Sequence, residues 1–394
     1  MRIGIITGEY PPMEGGVGDF TQQLGQTLAT QGHEVYVLTG QDETSPISTE
    51  KKLTIHRQVR DWGWASHSQI MRWIKQIQPD VIDIQYQAAA YQLRGGICLF
   101  PRWQRRNLTI PVVTTFHDLR PPYLFPKAGE MREWAICQMA QYSGGIITTN
   151  DDDYTSLTTT LLDKEPKPQI RLIPIGSNIA PAPPGGYDRS NWRARHGFGE
   201  EELLLGFFGF LNRSKGVETL VKATAKLLKE GIPVRLVFIG GRTGSSDLTN
   251  VDYANEIDKL IKEVGIADHV LHTGYSMPAD VSAALLATDL CVLPYLDGAS
   301  LRRGTLHACL THGLAIITTT PKTPAPQLQD GKAMRLVPPE NSDALAEVIL
   351  DLWKHPDACA ALRKNAAALA HEFSWDRIAA HTLEFFSSLA GKRP

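Results

Sequence analysis

Short apolar runs of strand length alternate with longer amphipathic stretches along most of the chain. The first run is followed by a helix that begins at Asp19 and stops near Gly32, and then by a second run. A strand, a helix and a strand in this order imply parallel pairing with a right-handed crossover. The predicted strands are Ile3–Thr7, Glu34–Leu38, Val81–Ile84, Val112–Phe116, Gly145–Thr149, Leu203–Phe208, Val234–Ile239, His269–Thr273, Leu290–Leu293 and Ala315–Thr319.

Helical spacing of apolar residues recurs between these runs. Predicted helices begin at Val217 and near Gly304-Thr305, and others cover Tyr253–Val264 and Pro278–Ala287. Polar residues follow several of the strands, where the ligand-binding loops of an open α/β sheet lie. The pattern therefore predicts the α/β class.

One segment interrupts the alternation. Asn178–Asp188, with the sequence NIAPAPPGGYD, is rich in proline and glycine and is predicted to be an interdomain linker. The alternation restarts after it, so we predict two α/β domains, 1–180 and 190–374. Such a pair commonly binds its ligand in the cleft between the C-terminal ends of the two sheets, and we expect the functional site there.

Composition narrows the class of protein. A length of 394 residues with 42% hydrophobic content allows more than one core, and a formal net charge of −2 does not favour a nucleic acid partner. No signal peptide or membrane-spanning run is recognised, so a cytoplasmic protein is expected. Five scattered cysteines predict buried reduced thiols, and the twelve histidines show no zinc-ligand spacing. No metal or other cofactor is expected.

The stretch Asp289–Pro321 carries the strongest indication of a ligand. A polar loop with Arg302 and Arg303 separates a strand from a short helix that begins near Gly304-Thr305. Two unpaired arginines at a helix N-terminus meet the positive end of the helix dipole, which is unfavourable until an anion binds. Two solvated surface arginines are the alternative. The adjacent strand end, glycines and helix start favour an anion site.

The glycine-rich turn Gly15–Phe20, GGVGDF, tests whether the chain binds a nicotinamide dinucleotide. The pattern G-x-G-x-x-G is incomplete because Thr21 stands at the last position, and no acidic residue ends the second strand. Both observations argue against NAD. Gly15 and Gly16 would still bring backbone N–H groups to a helix start, which suits a phosphate or a sugar hydroxyl. A tight turn between strand and helix is an equally good explanation.

Eight short motifs stand in a fixed order over nearly the whole chain. They are GEYPPMEGGVGDF near the N-terminus, TFHD at 115–118, IPIGSN at 173–178, GFLNRSKGVETL at 209–220, VFIGG at 237–241, HTGY at 272–275, LPYLDG at 293–298 and FSW at 373–375. Their order and spacing resemble the GT-B-fold glycosyltransferases of family 4. The resemblance implies two Rossmann-like domains facing each other across a cleft, with a nucleotide-sugar held mainly by the second and an acceptor by the first. It also implies retention of anomeric configuration and a C-terminal helix, 375–394, that packs back onto the first domain.

The family pattern is only partly present in the donor-binding loops. Lys215 matches a family lysine that binds the donor diphosphate, but Phe210 stands where an arginine is expected. The two glutamates of the family's E-x7-E pair fall on Ser300 and Ala308. A shifted register makes Asp297-Gly298 the counterpart of the first glutamate and its glycine, and we prefer this alignment. The resemblance then assigns Asp297 to the donor-sugar hydroxyls and leaves the ribose contact unassigned.

The same shift inserts two arginines into the loop. We predict that Arg302 and Arg303, with Gly304, Thr305 and Lys215, hold the donor diphosphate in place of the missing family arginine.

Resemblance also assigns residues near the transferred sugar. His117 matches the family's active-site histidine at the end of a first-domain strand, although a structural histidine is the alternative. Asp118 either orients the ring or caps the loop, and Asp118 and Ser300 are further donor-sugar candidates. Gly15 and Gly16 belong to a donor or acceptor loop, and Tyr275 marks the nucleotide-base region. In the family the leaving diphosphate is thought to take the acceptor proton, so no carboxylate nucleophile is needed.

Asp151–Asp153 contains a literal D-x-D. This pattern binds a divalent cation in the other large glycosyltransferase fold. A helix start capped by Asn150 or Asp151, with acids in its first turn, explains the triplet better.

The stretch Arg94–Arg106, RGGICLFPRWQRR, mixes arginines with large apolar residues. It could rest on an anionic membrane surface, where a lipid-linked acceptor would be found. An amphipathic helix that packs Phe100 and Trp103 into the first domain is the alternative that we favour.

These observations predict a metal-independent retaining glycosyltransferase. Its partners would be a nucleoside diphosphate-sugar donor and an unidentified acceptor, such as a glycan, a lipid-linked sugar or a small molecule. A nucleotide-sugar epimerase of the same fold and a non-catalytic protein that binds a sugar nucleotide are the alternatives. The sequence does not name the donor base, the sugar or the acceptor.

Overall fold

The computed structural model describes residues 1–13, 15–42, 44, 46–119, 129–161, 167–241 and 248–391. The chain divides into two compact units, Met1–Gly176 with Ser374–Pro394, and Ser177–Phe373. Each unit is built on its own sheet of mainly parallel strands. The predicted α/β class is confirmed.

The sheet of the first unit has the order β3-β4-β2-β1-β5-β6-β7-β8 among the described residues. Every neighbouring pair is parallel except β3 and β4, which are antiparallel at the edge. The strands are β1 Arg2–Thr7, β2 Glu34–Gly40, β3 Ile47–Glu50, β4 Leu53–Val59, β5 Val81–Gln87, β6 Val112–Asp118, β7 Gly145–Thr148 and β8 Gln169–Leu172. The helices between them are α1 Gly16–Thr30, α2 Ser66–Ile77, α3 Phe100–Gln104, α4 Gly129–Tyr142 and α5 Asp151–Ser156.

The sheet of the second unit is parallel throughout its described strands. Its strands are β9 Leu203–Phe208, β10 Val234–Ile239, β11 Val270–His272, β12 Leu290–Leu293, β13 Ala315–Thr319 and β14 Arg335–Val337, in the order β11-β10-β9-β12-β13-β14. Its helices are α6 Arg189–Arg195, α7 Val217–Lys229, α8 Leu248–Glu263, α9 Pro278–Ala287, α10 Gly304–Thr311, α11 Ser342–Lys354 and α12 Pro356–Ala370.

Helices cover both faces of the second sheet, so its central strands are buried on both sides. Leu205 and Leu236 point into one apolar cluster, while Leu204 and Val237 point into another. Parallel strands that are buried in this way read as continuous apolar runs. This is why the predicted bounds of β9, β10, β12 and β13 agree with the structure.

Helix starts agree less well with the prediction. The α1 helix begins at Gly16 rather than at Asp19, because the Glu9 carboxylate accepts hydrogen bonds from the N–H groups of Val17 and Gly18, at 3.0 and 3.2 Å. A carboxylate at this end satisfies free N–H groups and complements the helix dipole. The α8 helix likewise begins before the predicted Tyr253, at Leu248.

The last helix, α13 at Trp375–Ala390, belongs to the first unit. Phe385 and Phe386 are buried in the apolar cluster that also contains strand residues of β1 and β2. Residues 392–394 of the predicted helix 375–394 lie outside the described residues.

The contact between α13 and β7 yields a stability prediction. A methyl group on Gly145 would lie 2.5 Å from Leu389 Cδ1 and 2.8 Å from Phe385 Cζ. We expect Gly145→Ala to overpack this contact and to lower the free energy of unfolding by about 1–3 kcal/mol. Urea unfolding followed by circular dichroism would measure the loss.

Gly144 provides the matched control for this substitution. A methyl group there would meet its nearest atoms at 3.5 Å, which is ordinary van der Waals contact. Gly144→Ala should therefore change stability little. Equal losses in the two variants would contradict the packing of α13 on β7.

Candidate active site

The loops that follow β9 and β12 come together in the second unit. The backbone N–H of Leu296, after β12, donates to the carbonyl of Ser214, after β9, at 2.9 Å. Gly216 has φ +61°, and any side chain there would overlap the carbonyl oxygen of Pro294. A glycine is therefore required where the two loops touch.

The side chain of Lys215 lies where these two loops meet. The residue is only 8% exposed, and no hydrogen bond or ion pair to its side chain is formed by the described residues. A methyl group on Gly209 would lie 2.5 Å from Nζ, so only glycine leaves room for the lysine. Burial, and then the charge of Arg303, lowers the pKa of Lys215 to about 8. Both effects oppose its positive charge, and a bound anion would offset them.

The start of α10 lies against the same glycine. A methyl group on Gly209 would also come within 2.8 Å of Thr305 Cγ2. Gly304 and Thr305 occupy the first two positions of α10, where the N–H groups have no acceptor within the helix. The Thr305 hydroxyl is 2.6 Å from the hydroxyl of Tyr295. The predicted group of Lys215, Gly304 and Thr305 therefore lies together.

Arg302 and Arg303 are not the unpaired cations that the sequence predicted. Both guanidinium groups donate to Asp297, Arg303 to Oδ1 and Arg302 to Oδ2 at 3.2 Å. The prediction of two unpaired, mutually repelling arginines at the α10 N-terminus is wrong. Asp297 lies five residues before Arg302 and six before Arg303, and the loop turns so that its carboxylate contacts both. The ion pair offsets the unfavourable position of two cations at the positive end of a helix.

Arg303 remains oriented for a further contact. Its guanidinium carbon lies 4.6 Å from the ring centroid of Tyr295, and its Nε–H is buried with no hydrogen-bond partner. A buried donor without a partner costs free energy that an acceptor would recover. Ser300 shapes this turn, since its carbonyl oxygen accepts from Arg303 N at 3.1 Å.

The side chains at two other predicted positions of the second unit are exposed. Phe210, at the position of the missing arginine, is 42% exposed and offers no charge. Tyr275 follows β11, two strands away from β9, and is 75% exposed. A cavity of about 650 Å³ lies beside Tyr275, and it is lined in part by the stacked rings of Trp192 and His196. The assignment of Tyr275 to a nucleotide base stays a prediction.

His117 stands near the carboxyl end of β6 in the first unit. Its ring packs edge-on against Phe20, with centroids 4.7 Å apart, and its Nε2 is 2.8 Å from Oε1 of Gln85. Burial lowers the pKa of His117 to about 3. The imidazole is therefore neutral in the folded protein near pH 7.

The partner of His117 was not predicted from the sequence. Gln85 donates to Asp83 Oδ2 at 2.5 Å, and Thr115 donates to Asp83 Oδ1 at 2.8 Å. Asp83 is completely buried, and burial raises its pKa to about 7 although these two hydrogen bonds lower it. The suggestion that Asp118 orients the ring is not supported, since Nε2 contacts Gln85. The sequence did contain an indication of this group, because Asp83 and Gln85 stand two positions apart in the otherwise largely apolar run VIDIQYQ and so share one face of the strand.

The glycine turn of the first unit holds a carboxylate of the protein itself. Glu9 occupies the position at the start of α1 where a phosphate would bind, and a side chain on Gly15 would overlap this carboxylate. Gly16 has open space beside it. The N–H groups of Val17 and Gly18 thus already donate to a carboxylate of the protein, and the assignment of Gly15 and Gly16 to a donor or acceptor loop stays a prediction.

The acidic triplet caps a helix as expected. The Asn150 side chain accepts from Asp153 N at 2.9 Å at the start of α5. Among the described residues, no group of three or more His, Cys, Asp or Glu is arranged to hold a metal ion.

The arginine-rich stretch contains the short helix α3. Phe100 is buried there as expected, but Trp103 is 55% exposed. The prediction that Trp103 packs into the core is wrong, because its ring lies at the surface against Trp64, with centroids 5.5 Å apart.

In the part of the chain that the structure describes, no helix is long and apolar enough to cross a membrane. None of the five cysteines, all of which lie in the described residues, forms a disulfide, and Cys137 and Cys359 are half-buried rather than buried.

Two family models match the chain, one for each unit. Residues 14–176 match Glycosyltransferase Family 4, and residues 188–369 match Glycosyl transferases group 1. The chain belongs to the GT-B glycosyltransferases of family 4. The predicted family and enzyme class are thereby confirmed.

Curated relatives of this glycosyltransferase agree with the assignment. The phosphatidyl-myo-inositol mannosyltransferase of Mycolicibacterium smegmatis is 23% identical, and the match covers 99% of this chain and 95% of that protein. The putative glycosyltransferase EpsD of Bacillus subtilis is 26% identical over 91% of this chain and 90% of its own. The match to the alpha-monoglucosyldiacylglycerol synthase of Streptococcus pneumoniae, 24% identical, covers 74% of this chain and 65% of that enzyme.

Solved structures show the same fold. Sucrose-phosphate synthase from Thermosynechococcus elongatus has a TM-score of 0.79 at 19% identity, with 99% of both chains covered. HepE of Anabaena, solved in complex with UDP, has a TM-score of 0.74 at 16% identity, with 98% of this chain and 100% of that chain covered. The glycosyltransferase thus has the GT-B fold.

The buried pair Asp83 and His117 yields a pH prediction. The pKa of Asp83 is about 7 in the folded protein and has an ordinary value of 3.8, which we take for the unfolded chain. The contribution of Asp83 to the free energy of unfolding therefore falls as the pH rises from about 4 to 7. His117 is neutral above about pH 3 when folded but has an ordinary pKa of 6.5, so its contribution rises over nearly the same range. The two slopes oppose each other.

Single substitutions should separate these slopes. We expect Asp83→Asn to make stability rise with pH between about pH 4 and 6.5, relative to the wild type, and His117→Gln to make it fall. Urea unfolding across this range, with β5 and β6 followed by hydrogen exchange, measures both. Parallel stability curves for the three proteins would contradict the burial of these groups.

Proposed function

We propose that this enzyme transfers a sugar, with retention of configuration and without a metal ion, from a nucleoside diphosphate-sugar to a hydroxyl of an acceptor. The observation that carries the proposal is the Lys215 side chain, which is 8% exposed, forms no hydrogen bond or ion pair with the described residues and lies beside the start of α10. Complexes of HepE with UDP and with UDP-glucose support a donor of this class.

The diphosphate fits the donors that converge here. Lys215 supplies a charge, Gly304 and Thr305 supply N–H groups at a positive helix end, and Arg303 supplies an unpartnered Nε–H. A diphosphate has enough oxygens to accept from all of them, and charge-assisted hydrogen bonds are the stronger kind. These cations and the helix end would stabilise the charge of the departing diphosphate, which is the task that a divalent metal performs in other transferases.

Asp297 is proposed to bind the donor sugar. Both of its oxygens already accept from an arginine, but a carboxylate has about four acceptor sites, so two sugar hydroxyls could still donate to it. In this arrangement Arg302 acts chiefly by orienting Asp297, while Arg303 reaches both the carboxylate and the diphosphate. Ser300 and Asp118 stay candidates for further hydroxyl contacts.

The chemistry proposed requires no protein nucleophile. The oxygen of the departing diphosphate takes the proton of the acceptor hydroxyl as the new glycosidic bond forms on the same face of the sugar. His117 is proposed to contact the transferred sugar. The acceptor is unidentified, although relatives named for inositol and diacylglycerol products favour an alcohol of that kind over a peptide.

The diphosphate site makes a binding prediction. We expect wild type to bind UDP, GDP or ADP more tightly than the matching nucleoside, and Lys215→Met to remove about 1.5–3 kcal/mol of this preference. Arg303→Ala should remove a similar part, and Arg302→Ala less. Isothermal titration with the diphosphate and the bare nucleoside measures the preference in each variant.

Arg213→Ala is the matched control. This arginine lies in the same loop as Lys215, but it is exposed and pairs with Glu256. Its removal should leave the preference unchanged. If the preference survives intact in Lys215→Met and in the double alanine variant of Arg302 and Arg303, the diphosphate binds elsewhere.

The reaction itself makes a second prediction. With the donor identified by binding, transfer to a panel of simple sugars and inositols should persist in EDTA and should give a product with the anomeric configuration of the donor. Proton NMR of the product shows the configuration. Loss of transfer on chelation that a divalent cation restores would contradict metal independence, and an inverted product would contradict retention.

A further inference from the structure

A row of hydrogen-bonded polar side chains runs through the core of the first unit and ends at His117. It begins at Thr115 and passes through Asp83 and Gln85. Asp83 and Gln85 are completely buried, and Thr115 is nearly so. Adjacent parallel strands supply the members, with Asp83 and Gln85 on β5 and Thr115 and His117 on β6. Polar groups so deep in a core are costly unless each of them is paired.

The donors and acceptors along this row have one consistent direction. Above about pH 7, where Asp83 is ionised, the Thr115 hydroxyl and the Gln85 amide both donate to its carboxylate. The Gln85 side chain has used its NH2 group on Asp83, so it turns its oxygen toward His117, 2.8 Å away. An amide oxygen can only accept, and therefore Nε2 of His117 carries the ring proton.

The other ring nitrogen is left with its lone pair. Nδ1 of His117 makes no hydrogen bond to the described residues, and it is not among the buried polar atoms that lack a partner, so it reaches solvent. A neutral ring with Nδ1 open is a hydrogen-bond acceptor at the carboxyl end of β6, the sheet edge at which open α/β folds bind ligands.

We propose that Gln85, held by Asp83, is a positioning residue that keeps the His117 proton on Nε2, so that Nδ1 accepts a hydrogen bond from a substrate hydroxyl. The assignment of the hydroxyl rests on the proposed function, whereas the assignment of the proton does not. Gln85 acts through His117 and does not itself touch substrate.

A purely structural row would have different consequences. It would need its hydrogen bonds satisfied, but either tautomer of His117 would serve once Gln85 was replaced by an apolar residue. In serine proteases a histidine held in the wrong tautomer loses about 10⁴-fold in kcat, which shows how strongly a partner side chain can act through the ring. A tautomer measurement therefore tests the proton assignment, and the turnover of a Gln85 variant distinguishes positioning from packing.

Nitrogen NMR of protein labelled with ¹⁵N-histidine tests the proton assignment directly. The His117 signals are identified by their absence from His117→Gln. Near pH 8 we expect a protonated Nε2 and an unprotonated Nδ1 in wild type. Gln85→Leu should show a mixture of tautomers. Thr114→Val, on the same β6 strand but bonded to Ser143, is the control and should match wild type.

Turnover of the donor and acceptor found for wild type tests the effect on the reaction. Gln85→Leu should lower kcat by at least about tenfold with nucleoside diphosphate affinity unchanged. The double variant Gln85→Leu/His117→Gln should be no slower than His117→Gln alone, because the two residues act as one unit.

Two results would overturn the proposal. A wild-type ring protonated on Nδ1 would remove its basis, and this measurement needs no variant to fold. A Gln85→Leu enzyme with a mixed tautomer and undiminished kcat would show that the proton position does not matter for transfer. If no nucleotide-sugar is turned over at all, the proposed function fails, while the wild-type tautomer still tests the role of Gln85.

Discussion

Parallel pairing of β9 with β12 is the contact on which the proposed donor site depends. The strands pair with Leu290 opposite Leu205 and Cys291 opposite Gly206, and a methyl group on Gly206 would come within 2.5 Å of Thr288 Cγ2. The two strands are distant in sequence but adjacent in the sheet, so the loops after them meet at one edge. One loop supplies Lys215 to the proposed diphosphate site, and the other supplies Arg303 and the start of α10.

Charge in these loops is balanced without a ligand, but only in part. Asp297 neutralises one of the two arginine charges beside α10, while Lys215 stays buried without a carboxylate among the described residues. The remaining positive charge is held in a region of reduced solvation, where an anion gains more than it would at the surface. Phe210 adds no charge to these loops, so the proposed diphosphate contacts rest on Lys215, Arg303 and the start of α10. The Asp297 carboxylate stabilises its loop by pairing with the two arginines, and the proposed site keeps a positive charge for a diphosphate.

The first unit shows a different use of buried polarity. Asp83 and Gln85 break the apolar pattern of β5 at positions where an aliphatic side chain would add stability. Departures from local rules of this kind tend to mark functional positions in a core. Here the row ends at the one member, His117, that reaches solvent. The Glu9 carboxylate at the start of α1 follows the same principle, since an acid of the protein satisfies N–H groups that would otherwise bind an anion from solution.

The sequence by itself determined the α/β class and most strands of the second unit, because strands buried on both faces leave continuous apolar runs. The ordered motifs determined the family. Only the tertiary structure decided that Asp297 pairs with Arg302 and Arg303. It also decided that Glu9 accepts from the first N–H groups of α1, and that Gln85 rather than Asp118 forms the hydrogen bond to His117. The periodicity of apolar residues indicates whether a side chain is buried, but it does not indicate which side chain it contacts. Partners across strands and between loops follow from sheet order and register, which arise only when distant segments pack together.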